Sequence, residues 1–85
     1  MDIDNSIKQV ITKHIDIPLD IDKIISDNYL VDIGVNSINF IRMIIDLEQE
    51  YDIQFDIDML GIESFETVGN VISYVEKLVG VLVNN

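Results

Sequence analysis

The side chains able to do chemistry are few, and their types exclude most of it. The chain has one histidine, His14, and no cysteine. Without a thiol there is no thiolate nucleophile, no disulfide framework and no cysteine-based zinc site. A single histidine leaves little for a Ser-His-Asp arrangement or for the common metal-ligand sets, so no metal site is expected. The acidic run Asp16, Asp20 and Asp22 lacks the glycine and terminal glutamate of a calcium loop and reads as a solvated acidic loop. His14 falls near the end of an expected helix, where the dipole favours a cation, and a surface or capping role fits it. Tyr29, Tyr51 and Tyr74 read as half-buried core residues with wet hydroxyls. Serine hydroxyls remain. Capping or solvent exposure accounts for Ser6, Ser26, Ser64 and Ser73. Ser37 stands apart, directly after Asn36 and three residues after Gly34, at the start of an amphipathic stretch. Taken alone it is an ordinary residue for a helix start. No nucleophile–base pair is visible, so the chain is not expected to be an enzyme.

The elements that must position Ser37 follow from apolar spacing. Ile3, Ile7, Val10, Ile11 and Ile15 predict a helix over 3–15, begun by Asp2 and Asp4 and ended near Pro18. Residues 16–36 have no sustained helical face and contain Pro18, Asn28 and Gly34. Their scattered apolar residues, among them Ile24, Leu30 and Ile33, suggest a long loop pinned to the core, with a short helical turn near 22–26. A second helix is expected over 37–51. After it, residues 52–57 alternate in the manner of a strand, but no second strand is available to pair with them. A connector running into a short helix over 57–62, limited by Gly61, fits better. Val68, Val71, Ile72, Val75, Leu78 and Val79 predict a last helix over 66–79, with Ser64 or Thr67 near its start, Gly80 as its stop and a flexible tail over 81–85. The expected fold is all-α: a single domain, 1–85, forming a small four-helix bundle of three main helices plus one short one, with a long first loop.

The second helix carries two apolar faces. With Ile38 at 0° and about 100° per residue, Phe40, Met43, Ile44, Leu47 and Tyr51 fall within roughly 140° to 240°, a core stripe. Ile38, Ile41 and Ile45 lie on the opposite side, bordered by Arg42, Glu48 and Gln49. A peripheral helix needs one buried face. The second stripe either lies under the long loop or is a docking surface for enzymes, with the bordering charges setting partner choice.

Composition narrows the partners. At 85 residues the chain is one small domain with little room for a buried cleft, and at 48% hydrophobic it is too apolar to be disordered. Five Lys plus Arg against 16 Asp plus Glu give a net charge of -11. Such a surface repels nucleic acid and anionic lipid and favours partners with basic docking patches. The acidic N-terminus lacks the features of a signal peptide, and no apolar run is long enough to span a bilayer. A cytoplasmic monomer is expected.

The stretch Ile33-Gly34-Val35-Asn36-Ser37-Ile38 resembles the serine motif of the acyl and peptidyl carrier protein family. In that motif an apolar residue and Gly precede a variable residue, an Asp or similar polar residue, the Ser, and a Leu or Ile. The resemblance extends to Asp46-Leu47-Glu48-Gln49-Glu50-Tyr51 and to Phe65–Val68 with Ile72–Val75, and so covers nearly the whole chain. It implies that 4'-phosphopantetheine is transferred from coenzyme A to the Ser37 hydroxyl by a phosphopantetheinyl transferase. The arm's thiol would then carry acyl or aminoacyl cargo as a thioester to loading and processing enzymes. On this reading Gly34 and Asn36 belong to the attachment site, and Ile38, Ile41, Arg42, Ile45 and Glu48 to the docking surface. A phosphodiester at a helix start is favoured by free N–H groups and the dipole. Gly34 gives backbone freedom and lets a partner approach closely. Asn36 replaces the family's more frequent Asp, which removes a charge while keeping a good cap. Arg42, where fatty-acid carriers often show an acid, leans the expectation towards polyketide or nonribosomal peptide biosynthesis. Fatty-acid synthesis, D-alanyl transfer and an unmodified interaction module are the alternatives.

Overall fold

Isoleucine, valine and leucine at three- and four-residue spacing give three helices, each with an apolar face that must be covered by the rest of the chain. The structure, a computed structural model, describes the backbone of residues 3–84 and the side chains of residues 3–80. The helices are α1 (Ile3–His14), α2 (Ser37–Tyr51) and α3 (Val68–Asn84), and the described residues contain no strand. Ile7 and Ile11 from α1, Phe40, Met43, Ile44 and Leu47 from α2, and Val68, Val71, Ile72 and Val75 from α3 form the centre of the core. Phe40, Phe55, Phe65 and Tyr74 add an aromatic cluster, with ring centroids 4.9 to 6.1 Å apart in the contacting pairs. The all-α expectation holds.

The long first loop is tied down by backbone as well as by side chains. Ile24 and Leu30 are buried at 1% and 0% exposure. The Leu30 N–H donates to the Glu66 carbonyl at 2.9 Å, and Tyr29 and Thr67 form an isolated antiparallel bridge. In return, the carbonyls of Asn28 and Ser26 accept from Val68 and Gly69 at 3.0 and 2.9 Å. The loop thus supplies acceptors that the first turn of α3 cannot find within its own helix. Gly69 suits this close crossing, because a Cβ there would lie a tight 3.2 Å from the Ser26 carbonyl oxygen. The loop's single predicted turn near 22–26 is instead a 3₁₀ turn at Ile21–Lys23, and a second, unpredicted one occupies Val31–Ile33.

Two expectations about the second half are corrected. The short helix over 57–62 is two 3₁₀ turns, Ile57–Met59 and Ile62–Ser64, separated at Leu60–Gly61. Asp56 caps the first through its side chain and Gly61 begins the second, so no continuous α-helical nucleus forms. The last helix, expected over 66–79 with a stop at Gly80 and a tail over 81–85, has different bounds. It starts two residues later and continues through Gly80 to Asn84, while residue 85 lies outside the described residues. A single glycine inside a helix costs only about 1 kcal/mol relative to alanine, too little to end a long helix by itself. At the start, Thr67 Oγ1 accepts from the Asn70 N–H and Asn70 Oδ1 from the Thr67 and Glu66 N–H groups, which fixes the boundary at Val68.

His14 is more than a dipole complement. Its Nε2 hydrogen-bonds Asp46 Oδ2 at 2.6 Å and so joins the end of α1 to the middle of α2. That hydrogen bond holds the Asp46 carboxyl below its ordinary range against partial desolvation, with Lys13 Nζ at 3.3 Å assisting. Tyr74 is as half-buried as expected, whereas Tyr29 and Tyr51 differ from expectation. Tyr29 is exposed, Tyr74 is half-buried and accepts the Asp56 N–H at 3.0 Å, and Tyr51 is buried with no hydrogen-bond partner on its hydroxyl.

Candidate phosphopantetheine attachment site

The chain reaches Ser37 through two conformational constraints. Gly34 closes the 3₁₀ turn Val31–Ile33 at φ 93°, a left-handed conformation that favours glycine. A Cβ at Gly34 would also meet Ile17 Cδ1 at 2.9 Å. The protein's own loop therefore crowds Gly34. Two residues on, Asn36 is extended and forms the N-cap of α2. Its Oδ1 accepts the N–H groups of Ile38 and Asn39 at 3.0 and 2.9 Å.

Asn39 completes this arrangement and was not singled out by sequence reasoning. It is the buried polar residue of the described core, at 7% exposure. Its Oδ1 accepts the Asn36 N–H at 2.6 Å and its Nδ2 donates to the Gly34 carbonyl at 3.0 Å. One amide thus locks both the cap and the preceding turn. The signal was available, since a polar residue three places after the cap is the capping-box position.

Ser37 is the first residue of α2 and is exposed. Among the described residues its hydroxyl makes no hydrogen bond, since Asn36 performs the capping. An exposed, uncommitted hydroxyl at a helix start fits a covalently attached phosphodiester, which needs solvent access and gains from the positive dipole end. Fewer N–H groups are open than the sequence suggested, because Asn36 engages those of Ile38 and Asn39.

The comparisons agree with this geometry. The phosphopantetheine attachment site family (PP-binding) matches residues 5–75. The chain belongs to that family. The cofactor of that family is covalently attached 4'-phosphopantetheine. The sequence is also 33% identical over 49 residues to an acyl carrier protein of Thermotoga maritima; the match spans 58% of this chain and 58% of that protein.

The isoleucine stripe of this phosphopantetheine-attachment domain is open. Ile38, Ile41 and Ile45 are 68%, 51% and 47% exposed, so the first loop does not cover them. Arg42 is exposed beside them. Glu48 is half-buried, and its Oε2 accepts the Phe55 N–H at 2.9 Å, which commits it partly to structure. Ile41 and Ile45 also form one wall of a groove of about 670 Å³ whose other wall includes Phe55, Ile57 and Leu60. No described helix is long and apolar enough to cross a membrane.

Proposed function

We propose that Ser37 is the attachment residue, and that the chain carries acyl or aminoacyl intermediates between enzymes of polyketide or nonribosomal peptide biosynthesis. The observation that carries this reading is the exposed Ser37 hydroxyl, left free at the start of α2 by the Asn36 cap. A phosphopantetheinyl transferase would direct that oxygen onto the β-phosphorus of coenzyme A. The O–P bond forms as the pyrophosphate P–O bond breaks, 3',5'-adenosine bisphosphate leaves, and the serine proton passes to a base on the transferase. The bound arm supplies a terminal thiol that holds cargo as a thioester. This chain's residues do the rest. Asn36, Asn39 and Gly34 hold the helix start rigid, and Ser37 presents the tether to solvent. Ile38, Ile41, Arg42, Ile45 and the rim residue Glu48 receive partner enzymes. The apolar character of this face supports a secondary-pathway carrier over fatty-acid synthesis or D-alanyl transfer. The same reading has the protein working as a cytoplasmic monomer.

Intact-mass measurement after incubation with coenzyme A and a broad-specificity transferase tests the site. The expected result is a gain of one phosphopantetheine, absent in Ser37→Ala. Modification persisting in Ser37→Ala, or no gain in the unaltered protein, would overturn the reading.

A further inference from the structure

The face beside Ser37 carries a cation, Arg42, on one border, although the molecule as a whole is strongly acidic. The chain carries a net charge of -11. Yet the outward side of α2 is built from Ile38, Ile41 and Ile45 with Arg42 at their border, all exposed. Of the carboxylates of α2, Asp46 and Glu50 lie off this face and Glu48 forms its far border. Asp46 is held by His14 and Lys13 at 2.6 and 3.3 Å, on the side packed towards α1. Glu48 is turned towards the connector after α2, where it accepts the Phe55 N–H. Glu50 lies on the flank nearest Asp46, about 120° round the helix from Ile38. Arg42 itself forms no ion pair among the described residues. The guanidinium at the edge of the apolar stripe is thus exposed and without an ionic partner.

We infer that enzymes docking on α2 present an apolar surface bearing a carboxylate opposite Arg42, in place of the basic patch that the net charge alone would select. Arg42 is the specificity residue of this surface. The apolar contacts supply affinity, while the single cation fixes register and rejects partners whose matching position is basic. The far rim, where Glu48 and Asp56 line the groove, is the acidic side, so the face is polarised across the isoleucine ridge. The inference rests on the Ser37 reading, which makes this face the one a partner must approach.

Modification kinetics test it with a probe of known charge: a phosphopantetheinyl transferase with a basic carrier-facing surface, and coenzyme A at saturation. Arg42→Glu should lower the KM for the carrier about threefold to tenfold at low salt, with kcat little changed and the gain lost at high salt. A transferase variant carrying Glu at the position facing Arg42 should reverse the preference towards the unaltered carrier. Far-UV circular dichroism of Arg42→Glu controls for folding, and Arg42→Gln gives the intermediate KM expected of charge alone. Equal KM values for the Arg and Glu carriers, or a higher KM for Arg42→Glu with the basic transferase, would overturn the inference while leaving Ser37 as the attachment residue. No mass gain in any carrier would overturn the Ser37 reading and the inference with it.

Discussion

Replacing Asn39 by alanine tests whether one buried amide holds the N-terminal end of α2. The substitution removes two hydrogen bonds, one from the Asn36 N–H at 2.6 Å and one to the Gly34 carbonyl at 3.0 Å. Each is worth about 1 kcal/mol net, and a partner left buried without water costs more. Asn36 is exposed and Gly34 half-buried, so water reaches part of what is orphaned. Alanine recovers about 0.5 kcal/mol through its higher helix propensity. The balance is a loss of about 2 kcal/mol, or roughly 8 to 16 °C in Tm for a domain of this size. Thermal and urea unfolding followed by circular dichroism measure it. A double-mutant cycle with Asn36→Ala should give a coupling of about 0.5 kcal/mol or more, because the two side chains satisfy each other's backbone groups. A loss below about 0.5 kcal/mol, or strict additivity with Asn36→Ala, would refute the reciprocal cap as the device that fixes the helix start.

Two further predictions concern the core and its pH dependence. Tyr51→Phe should leave stability unchanged or raise it by up to about 1 kcal/mol, because it deletes a buried hydroxyl that has no partner; a clear loss in urea unfolding would mean that the hydroxyl is satisfied in solution. The depressed Asp46 carboxyl contributes stability that is fully present above the ordinary value of about 3.9 and is lost as pH falls through its lowered native value. Unfolding measured across the acid range should therefore show a smaller loss in His14→Ala than in the unaltered protein, and equal slopes would remove the His14–Asp46 link from the account.

The fold was most legible where periodicity and capping chemistry agreed. The boundaries 37–51 are those of α2, because Asn36 is a strong cap and the stripe from Phe40 to Tyr51 has a single helical phase. At the C-terminal end, Asp52 takes the left-handed conformation at φ 53° that glycine more often fills, so no glycine marked the boundary. The two turns after it escaped for another reason. Three-residue 3₁₀ segments are held by local bonds such as Met59 N–H to the Asp56 carbonyl, which leave no periodic trace. Gly80 misled because a glycine ends a helix only when the residues after it leave the helical path, and here the helix runs on to Asn84. The openness of the isoleucine stripe was beyond the sequence. Whether a loop covers Ile41 depends on where Leu30 and Ile24 anchor, and only the contacts with residues 66–69 decide that.

The spacing of Asn36 and Ser37 separates two demands that a single residue could not meet. A helix start exposes backbone donors that need an acceptor, and serine at the cap position would turn its own oxygen inward to provide one. An attachment oxygen must instead face solvent with its lone pairs and proton uncommitted. Placing the acceptor on Asn36 and the hydroxyl one residue later satisfies both, since Asn36 Oδ1 takes the Ile38 and Asn39 N–H groups. The charge lost with asparagine in place of aspartate therefore bears on partner recognition and leaves the cap intact. It also agrees in sign with Arg42 further along the helix: both residues make this end of α2 less acidic than the rest of the molecule, so the face beside Ser37 is less suited to a basic partner than the net charge implies.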